Sequence, residues 1–256
     1  MAIRAIFLRL GVLAVGLPTL LGACAPGASG ASSSPDPRLL SAIEAYNRGD
    51  VATAFQGLSA LAAGGNSDAQ VNLGYMYARG EAVPQDQAHA LRLYELSAAQ
   101  GNGEGMNALG YKYEYGTGVV PNMETAIHWY CAAIAKGNPR AMNNLAILLS
   151  EGKVVARDLP EAHALWLQSA ERGHVNGMLN VGVTFITGEG VAADRAQGIA
   201  WLTRAAEHGQ PAAQQKLAML GVQRAWPASV DYLRVMQLQP RDAAPGRAKV
   251  CGALVS

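Results

Sequence analysis

The chain has 256 residues, half of them apolar, with few aromatics and a formal net charge of +1. A near-neutral balance gives no electrostatic footprint for nucleic acid or an anionic surface. Beyond the amino terminus, no run approaches the roughly eighteen apolar residues of a membrane span.

The chain opens with a targeting segment, Met1–Ala23. Arg4 and Arg9 supply a positive start, Leu10–Leu21 an apolar stretch, and Leu21-Gly22-Ala23-Cys24 ends it. Small residues followed by cysteine resemble the lipobox of bacterial lipoproteins. That resemblance implies cleavage before Cys24, lipidation of its thiol and acylation of the new amino group. Several acyl chains anchor stably where one binds only marginally. Ala25 is not the aspartate that retains such proteins at the inner membrane. The expected location is therefore the outer membrane, facing the periplasm. An ordinary secretory peptide cut after Ala23 is the alternative. Residues 24–37, rich in Ala, Gly, Ser and Pro, read as a flexible tether.

Residues 38–66 form a partial first unit. Ala42, Ala45 and Tyr46 suit one helix, Gly49-Asp50 interrupts it, and Ala54, Leu58, Leu61 and Ala62 suit a second. From Ala69 the landmarks recur every 36 residues. Leu73 returns as Leu109, Leu145, Val181 and Leu217; the small residue after it as Gly74, Gly110, Ala146, Gly182 and Ala218. Gly80, Gly116, Gly152 and Gly188 mark a second column, and Gly65, Gly101, Gly137, Gly173 and Gly209 a third. A fixed period of this size, without insertion or loss, is the signature of a stacked repeat.

Each period predicts two helices. In the first, Ala69, Leu73 and Tyr77 stand at i, i+4 and i+8 and form one buried stripe. Gly74 and its equivalents lie inside that helix, where glycine costs about 1 kcal/mol relative to alanine, so a neighbouring helix is expected to approach there. Gly80 and its equivalents close the helix as left-handed caps. Asp86, Asn122, Asp158 and Asp194 then stand as N-caps of the second helix. That helix carries Ala90, Ala126, Ala162 and Gly198 in one column and bulky pairs such as Leu93-Tyr94 and Trp129-Tyr130 in the next.

The pattern A-x-x-x-L-G-x-x-Y-x-x-G-x-G-V, an acidic cap, then A-x-x-W-Y-x-x-A-A-x-x-G, resembles the Sel1-like repeat, a relative of the tetratricopeptide repeat. The resemblance covers four full units at 67–102, 103–138, 139–174 and 175–210. It departs mildly at Ala146, Leu149, Val154 and Gly198. It implies an all-α fold, a right-handed superhelical solenoid of antiparallel helix pairs, whose first helices line a concave face. Residues 211–239 are expected to cap the stack, with helices over Pro211–Leu220 and Pro227–Leu238. Residues 240–256, with Pro240, Pro245 and Gly246, are expected to be disordered.

On the first helices a second stripe lies between the buried positions. It holds Asn72, Tyr75 and Arg79; Ala108, Tyr111 and Tyr115; Asn144, Leu148 and Glu151; then Asn180, Val183 and Thr187, with Asn107 and Asn143 one position earlier. Two readings stand open. Asparagine amides can pair with a peptide backbone in both directions, and tyrosines offer contact area at low entropic cost. Alternatively, the asparagines belong to the repeat itself and bond the adjacent helix.

No coherent catalytic set appears. The five histidines, His89, His128, His163, His174 and His208, share no column, and no H-E-x-x-H occurs. Ser150-Glu151-Gly152-Lys153 matches S-x-x-K, but at the end of a helix and without companion elements. The body holds two cysteines, Cys131 and Cys251, which make neither a zinc framework nor a disulfide scaffold. An oxidising compartment allows them one bridge, against which stands the expected looseness of the tail. Neither metal nor cofactor is expected.

The reading is a non-catalytic scaffold for a protein or peptide partner in the cell envelope, with no role for nucleic acid or a small substrate. The alternatives are a β-lactam-binding or weakly hydrolysing relative, and a structural lipoprotein associated with peptidoglycan. Some secreted Sel1-repeat relatives that bind β-lactams carry a disulfide in each repeat, which this chain lacks.

Overall fold

The computed structural model describes residues 36–226, 246 and 248–253. The targeting segment, Cys24 and nearly all of the tether lie outside them, as does Pro227–Leu238.

Among the described residues every regular element is helical. The incomplete first unit gives α1 (Pro37–Asn47) and α2 (Val51–Ala63). Four full units follow as α3 (Ser67–Arg79) and α4 (Gln87–Ala99), α5 (Gly103–Tyr115) and α6 (Met123–Ala135), α7 (Pro139–Glu151) and α8 (Leu159–Glu171), and α9 (Val175–Thr187) and α10 (Arg195–Glu207). A last first-helix, α11 (Pro211–Met219), closes the series, and α12 (Lys249–Ala253) lies near the carboxyl terminus.

The helix ends follow from side-chain chemistry. Asp86, Asn122, Asp158 and Asp194 each accept a backbone N–H three residues on, at 2.8–2.9 Å. Asn66, Asn102 and Asn138 do the same for the first helices, satisfying donors that a helix start leaves unpaired. Gly80, Gly116, Gly152 and Gly188 end those helices at φ of 65–78°, a conformation that disfavours any side chain with a Cβ. Two positions further on, Gly118 and Gly190 also take positive φ, and Ala82 occupies the same column at φ 63°.

The fold is an all-α solenoid of stacked antiparallel helix pairs. Helices of one unit pack together, and the second helix of each unit packs on the first of the next. First helices also touch first helices, α3 with α5, α5 with α7 and α7 with α9, and no pair of second helices approaches as closely. The small column explains the tight pairing. A Cβ on Gly74 would stand 2.5 Å from the Tyr94 ring, and one on Gly110 2.6 Å from the Tyr130 ring. Tyr94, Tyr130, Leu109, Leu145, Leu165, Leu202 and Leu217 are wholly enclosed in the core so formed.

The carboxyl-terminal region departs from expectation. Residues 246 and 248–253, expected to be disordered, include the short helix α12, and Cys251 is disulfide-bonded to Cys131 on α6. The cause is long-range: the segment's order comes from its seat on α6 and α8, which no local pattern announces.

Candidate functional site

Of the residues singled out on the first helices, the asparagines turn inward. Asn72, Asn107 and Asn143 are 4–6% exposed. Asn72 donates to the Asp68 carbonyl of its own helix at 2.9 Å. Asn144 Nδ2 donates to Asn107 Oδ1 at 3.1 Å, Asn143 Nδ2 to Asn144 Oδ1 at 3.4 Å, and Asn180 Nδ2 to Asn143 Oδ1 at 3.0 Å. These bonds run as one relay across α5, α7 and α9. Ala108 and Leu148 are also buried. Peptide contact by Asn72, Asn107 and Asn143 is therefore corrected: their amides serve the stack, because they lie on the side of the helix that meets its neighbour.

The open side is the row one step round. By the 36-residue register it holds Tyr75, Tyr111, Ile147 and Val183, with Arg79, Tyr115, Glu151 and Thr187 one turn further on. Tyr111 and Tyr115 are 50% and 59% exposed, their ring centroids 4.5 Å apart. They stand at i and i+4 on α5, so a single helix face presents both rings. Burial and the carboxylate of Glu114 push the Tyr115 phenol up to about 12, with Tyr111 and Glu151 adding to the effect; it is neutral across the physiological range. The Arg79 guanidinium lies 5.5 Å from the centre of the Tyr75 ring and donates to the Tyr46 hydroxyl at 3.2 Å. Glu151 is exposed and pairs with Lys153 at 3.2 Å.

Tyr75, although in this row's register, is drawn into a polar node with Glu104, Asn138 and Arg140, none of them among the expected site residues. Tyr75 donates to Glu104 Oε1 at 2.5 Å, Arg140 Nη1 to the same oxygen at 2.9 Å, and Asn138 Nδ2 to Glu104 Oε2 at 2.8 Å. Burial alone would raise the Glu104 carboxyl; the Arg140 charge and the bonds from Tyr75 and Asn138 outweigh it and hold it below the usual range. Burial, then the Glu104 charge, raises the Tyr75 phenol. The node ties three repeats. Asp68, Glu104, Arg140 and Asn176 share one column, and Asn102, Asn138, His174 and Gln210 the next unit's N-cap column. Where the first is acidic the second is an amide donor, as in Asn102 to Asp68 at 2.7 Å. Where it is Arg140 the second is His174, which makes no side-chain cap bond. Burial first, and Arg140 second, lower the His174 imidazole to about 4, so it stays neutral beside the guanidinium.

The remaining candidates show no convergent chemistry. Ser150 Oγ donates to the Ile147 carbonyl at 2.8 Å, and Lys153 engages Glu151 rather than Ser150, so the S-x-x-K spacing does not assemble a nucleophile and base. His163 Nδ1 meets Thr184 Oγ1 at 2.8 Å in the core. Among the described residues no group of three or more His, Cys, Asp or Glu side chains could hold a metal.

The family model for the Sel1 repeat matches residues 67–102, 103–138, 139–174 and 175–210, the boundaries read from the 36-residue period. No curated protein matches the chain. Among solved structures, a Sel1 repeat protein from Oxalobacter formigenes is 30% identical, with a TM-score of 0.58 over 71% of this chain and 58% of that one. A protective antigen of uropathogenic Escherichia coli strains with the same repeat fold is 29% identical, with a TM-score of 0.58 over 72% of this chain and 40% of that one. The chain thus spans less than two thirds of either relative. With four contiguous units in register over more than half its length, the chain belongs to the Sel1-repeat family.

Proposed function

We propose that the protein is a lipid-anchored scaffold of the bacterial envelope that holds a protein or peptide segment along the concave face formed by its first helices. Sel1-repeat solenoids generally serve protein–protein interaction and not catalysis. The observation that carries the site is the Tyr111–Tyr115 pair. Two phenol rings stand half in water on the side where first helices crowd together, with Arg79 one repeat before and Glu151 one repeat after. Large, stiff, amphipathic rings are the side chains that anchor interfaces. Export is supported by the lipobox-like Leu21-Gly22-Ala23-Cys24 and by the Cys131–Cys251 bridge, since disulfides persist in oxidising compartments. Anchoring through Cys24, the outer-membrane location and the non-catalytic role belong to this proposal.

Site-specific photo-crosslinking in intact envelopes tests it. A crosslinking side chain at Tyr111 or Tyr115 should capture a defined partner that one at exposed Leu96, on a second helix, does not. Identical capture from both faces, or none from the tyrosine face, would refute the concave site. Globomycin-sensitive processing and loss of membrane fractionation in Cys24→Ser test the anchor separately.

A further inference from the structure

The carboxyl-terminal segment returns to the middle of the stack. Cys251 on α12 is bonded to Cys131 on α6, 120 residues earlier in the chain. Gly246 donates its N–H to the Ile134 carbonyl at 2.8 Å, in the last turn of α6. Lys249 donates its backbone N–H to Glu161 Oε1 at 2.6 Å, and its Nζ lies 3.6 Å from Glu161 Oε2, in the first turn of α8. A Cβ on Gly246 would collide with the terminal methyl of Met142 on α7 and approach the Ile134 carbonyl to 2.7 Å. The segment therefore fits closely against α6 of the second repeat and against α7 and α8 of the third. It spans a repeat junction with contacts outside the 36-residue period.

Its own hold is thin. At five residues α12 is far below the roughly 12–15 at which an isolated helix persists in water. Among the described residues of the segment, only Ala248, Val250 and Cys251 pack on the core, and each remains partly exposed. Against these stands the conformational entropy of ordering every residue in the segment. We propose that Cys131 and Cys251 form a thiol–disulfide latch. Oxidised, it straps the carboxyl-terminal segment across the α6–α8 junction. Reduced, it lets the strap go and bares the Glu161 carboxylate, whose side chain is 8% exposed with the strap in place, together with the Cys131 thiol.

Both half-cystines are only half-buried, which leaves a path for an external thiolate. The reductant is a dithiol. One of its thiolates attacks one sulfur of the bridge, and the other sulfur leaves as a protein thiolate. The second thiol of the reductant then displaces the mixed disulfide. The dithiol ends as its own disulfide, Cys131 and Cys251 each end as a thiol, and two electrons and two protons have passed. Because the Glu161 and Ile134 contacts exist only with the strap docked, they favour the oxidised pair, and weakening them makes reduction easier.

Hydrogen exchange read by mass spectrometry tests this on the full chain, isolated from an oxidising compartment without reductant. Circular dichroism reports overall helicity. With dithiothreitol, the amides of Lys249–Ala253 should lose protection. Those at the end of α6 and the start of α8 should exchange at least about tenfold faster, while α3 and α4 are unchanged. Cys131→Ser/Cys251→Ser should show the reduced pattern without reductant. Glu161→Gln should be reduced at a roughly tenfold lower dithiothreitol ratio, since it removes a charge-assisted hydrogen bond to the docked strap. Unchanged exchange on reduction would mean that the strap docks without the bridge, and the latch fails. The same reduction equilibrium in Glu161→Gln, exchange spreading equally to α3 and α4, or two alkylatable thiols before reduction would each overturn it as well.

Discussion

Asn144 on α7 donates its amide to the carbonyl oxygen of Asn107 on α5 at 3.1 Å, joining two repeats through side chains that lie one position out of step in the 36-residue register. The offset matters. Asn107 faces its following helix from one position while Asn144 faces its preceding helix from the next, so adjacent asparagines in α7 serve opposite neighbours. Asn143 then passes the connection to Asn180.

Asn143→Ala should therefore destabilise the protein by about 1–2 kcal/mol, because it removes a buried amide and leaves its part-buried partners on Asn144 and Asn180 without their bonds. Thermal or urea unfolding measures this. A change indistinguishable from zero would show that the relay carries no stability.

The two tyrosines should behave in the opposite way. Tyr111→Ala and Tyr115→Ala remove exposed rings, so stability should stay within about 0.5 kcal/mol of the parent. The crosslinked or co-purified partner should be lost. Asn143→Ala should retain the partner at temperatures where it stays folded. Partner loss in the asparagine variant alone would place binding elsewhere.

Gly110→Ala tests the close approach of paired helices. Alanine gains about 1 kcal/mol of helix propensity over glycine. Its Cβ would stand 2.6 Å from the Tyr130 ring, and that ring is held by its hydroxyl bond to Glu114 Oε2 at 2.5 Å. Overpacking typically costs about 1–3 kcal/mol, so a net loss is expected. A higher melting temperature in this variant would mean that the ring yields freely.

Acid should weaken the fold in two stages. His174, near 4 in the folded protein, takes up its proton in the unfolded chain at about 6.5. Its contribution is thus full above pH 6.5, falls as pH drops towards 4, and amounts to about 3 kcal/mol at most. The Glu104 carboxyl, held low by Arg140, Tyr75 and Asn138 against its burial, contributes above the unfolded carboxyl value and is lost as pH falls through its folded value. His174→Gln should flatten the first stage and leave the second. Urea midpoints from pH 7 down to well below the unfolded carboxyl value of about 4.3 decide this; an unchanged slope between pH 7 and 4 would exclude His174 as the source of the first stage.

Hydrolysis of nitrocefin by pure protein should be indistinguishable from buffer, and Ser150→Ala should change nothing, since Ser150 Oγ is turned to the Ile147 carbonyl. Turnover abolished by that substitution would restore the enzyme reading.

The period alone determined the helices, their caps, their pairing and the family. Each unit of 36 residues repeats the same local chemistry, and a helix pair makes most of its contacts within itself and with the next unit. Gly74 meeting Tyr94, and Asp86 capping at His89, are consequences of short-range spacing. Within a stripe, spacing could not separate Asn107 from Tyr111 as inward and outward, because at 3.6 residues per turn i and i+4 share one face and the boundary of its buried part depends on the neighbour's angle. Nor could it join Glu104 to Arg140 and Tyr75, which needs three units stacked. The carboxyl-terminal strap lay furthest from reach. Cys251 meets Cys131 across 120 residues with no periodic echo, so only the tertiary fold, by bringing that seat within range, could order a segment too short to order itself.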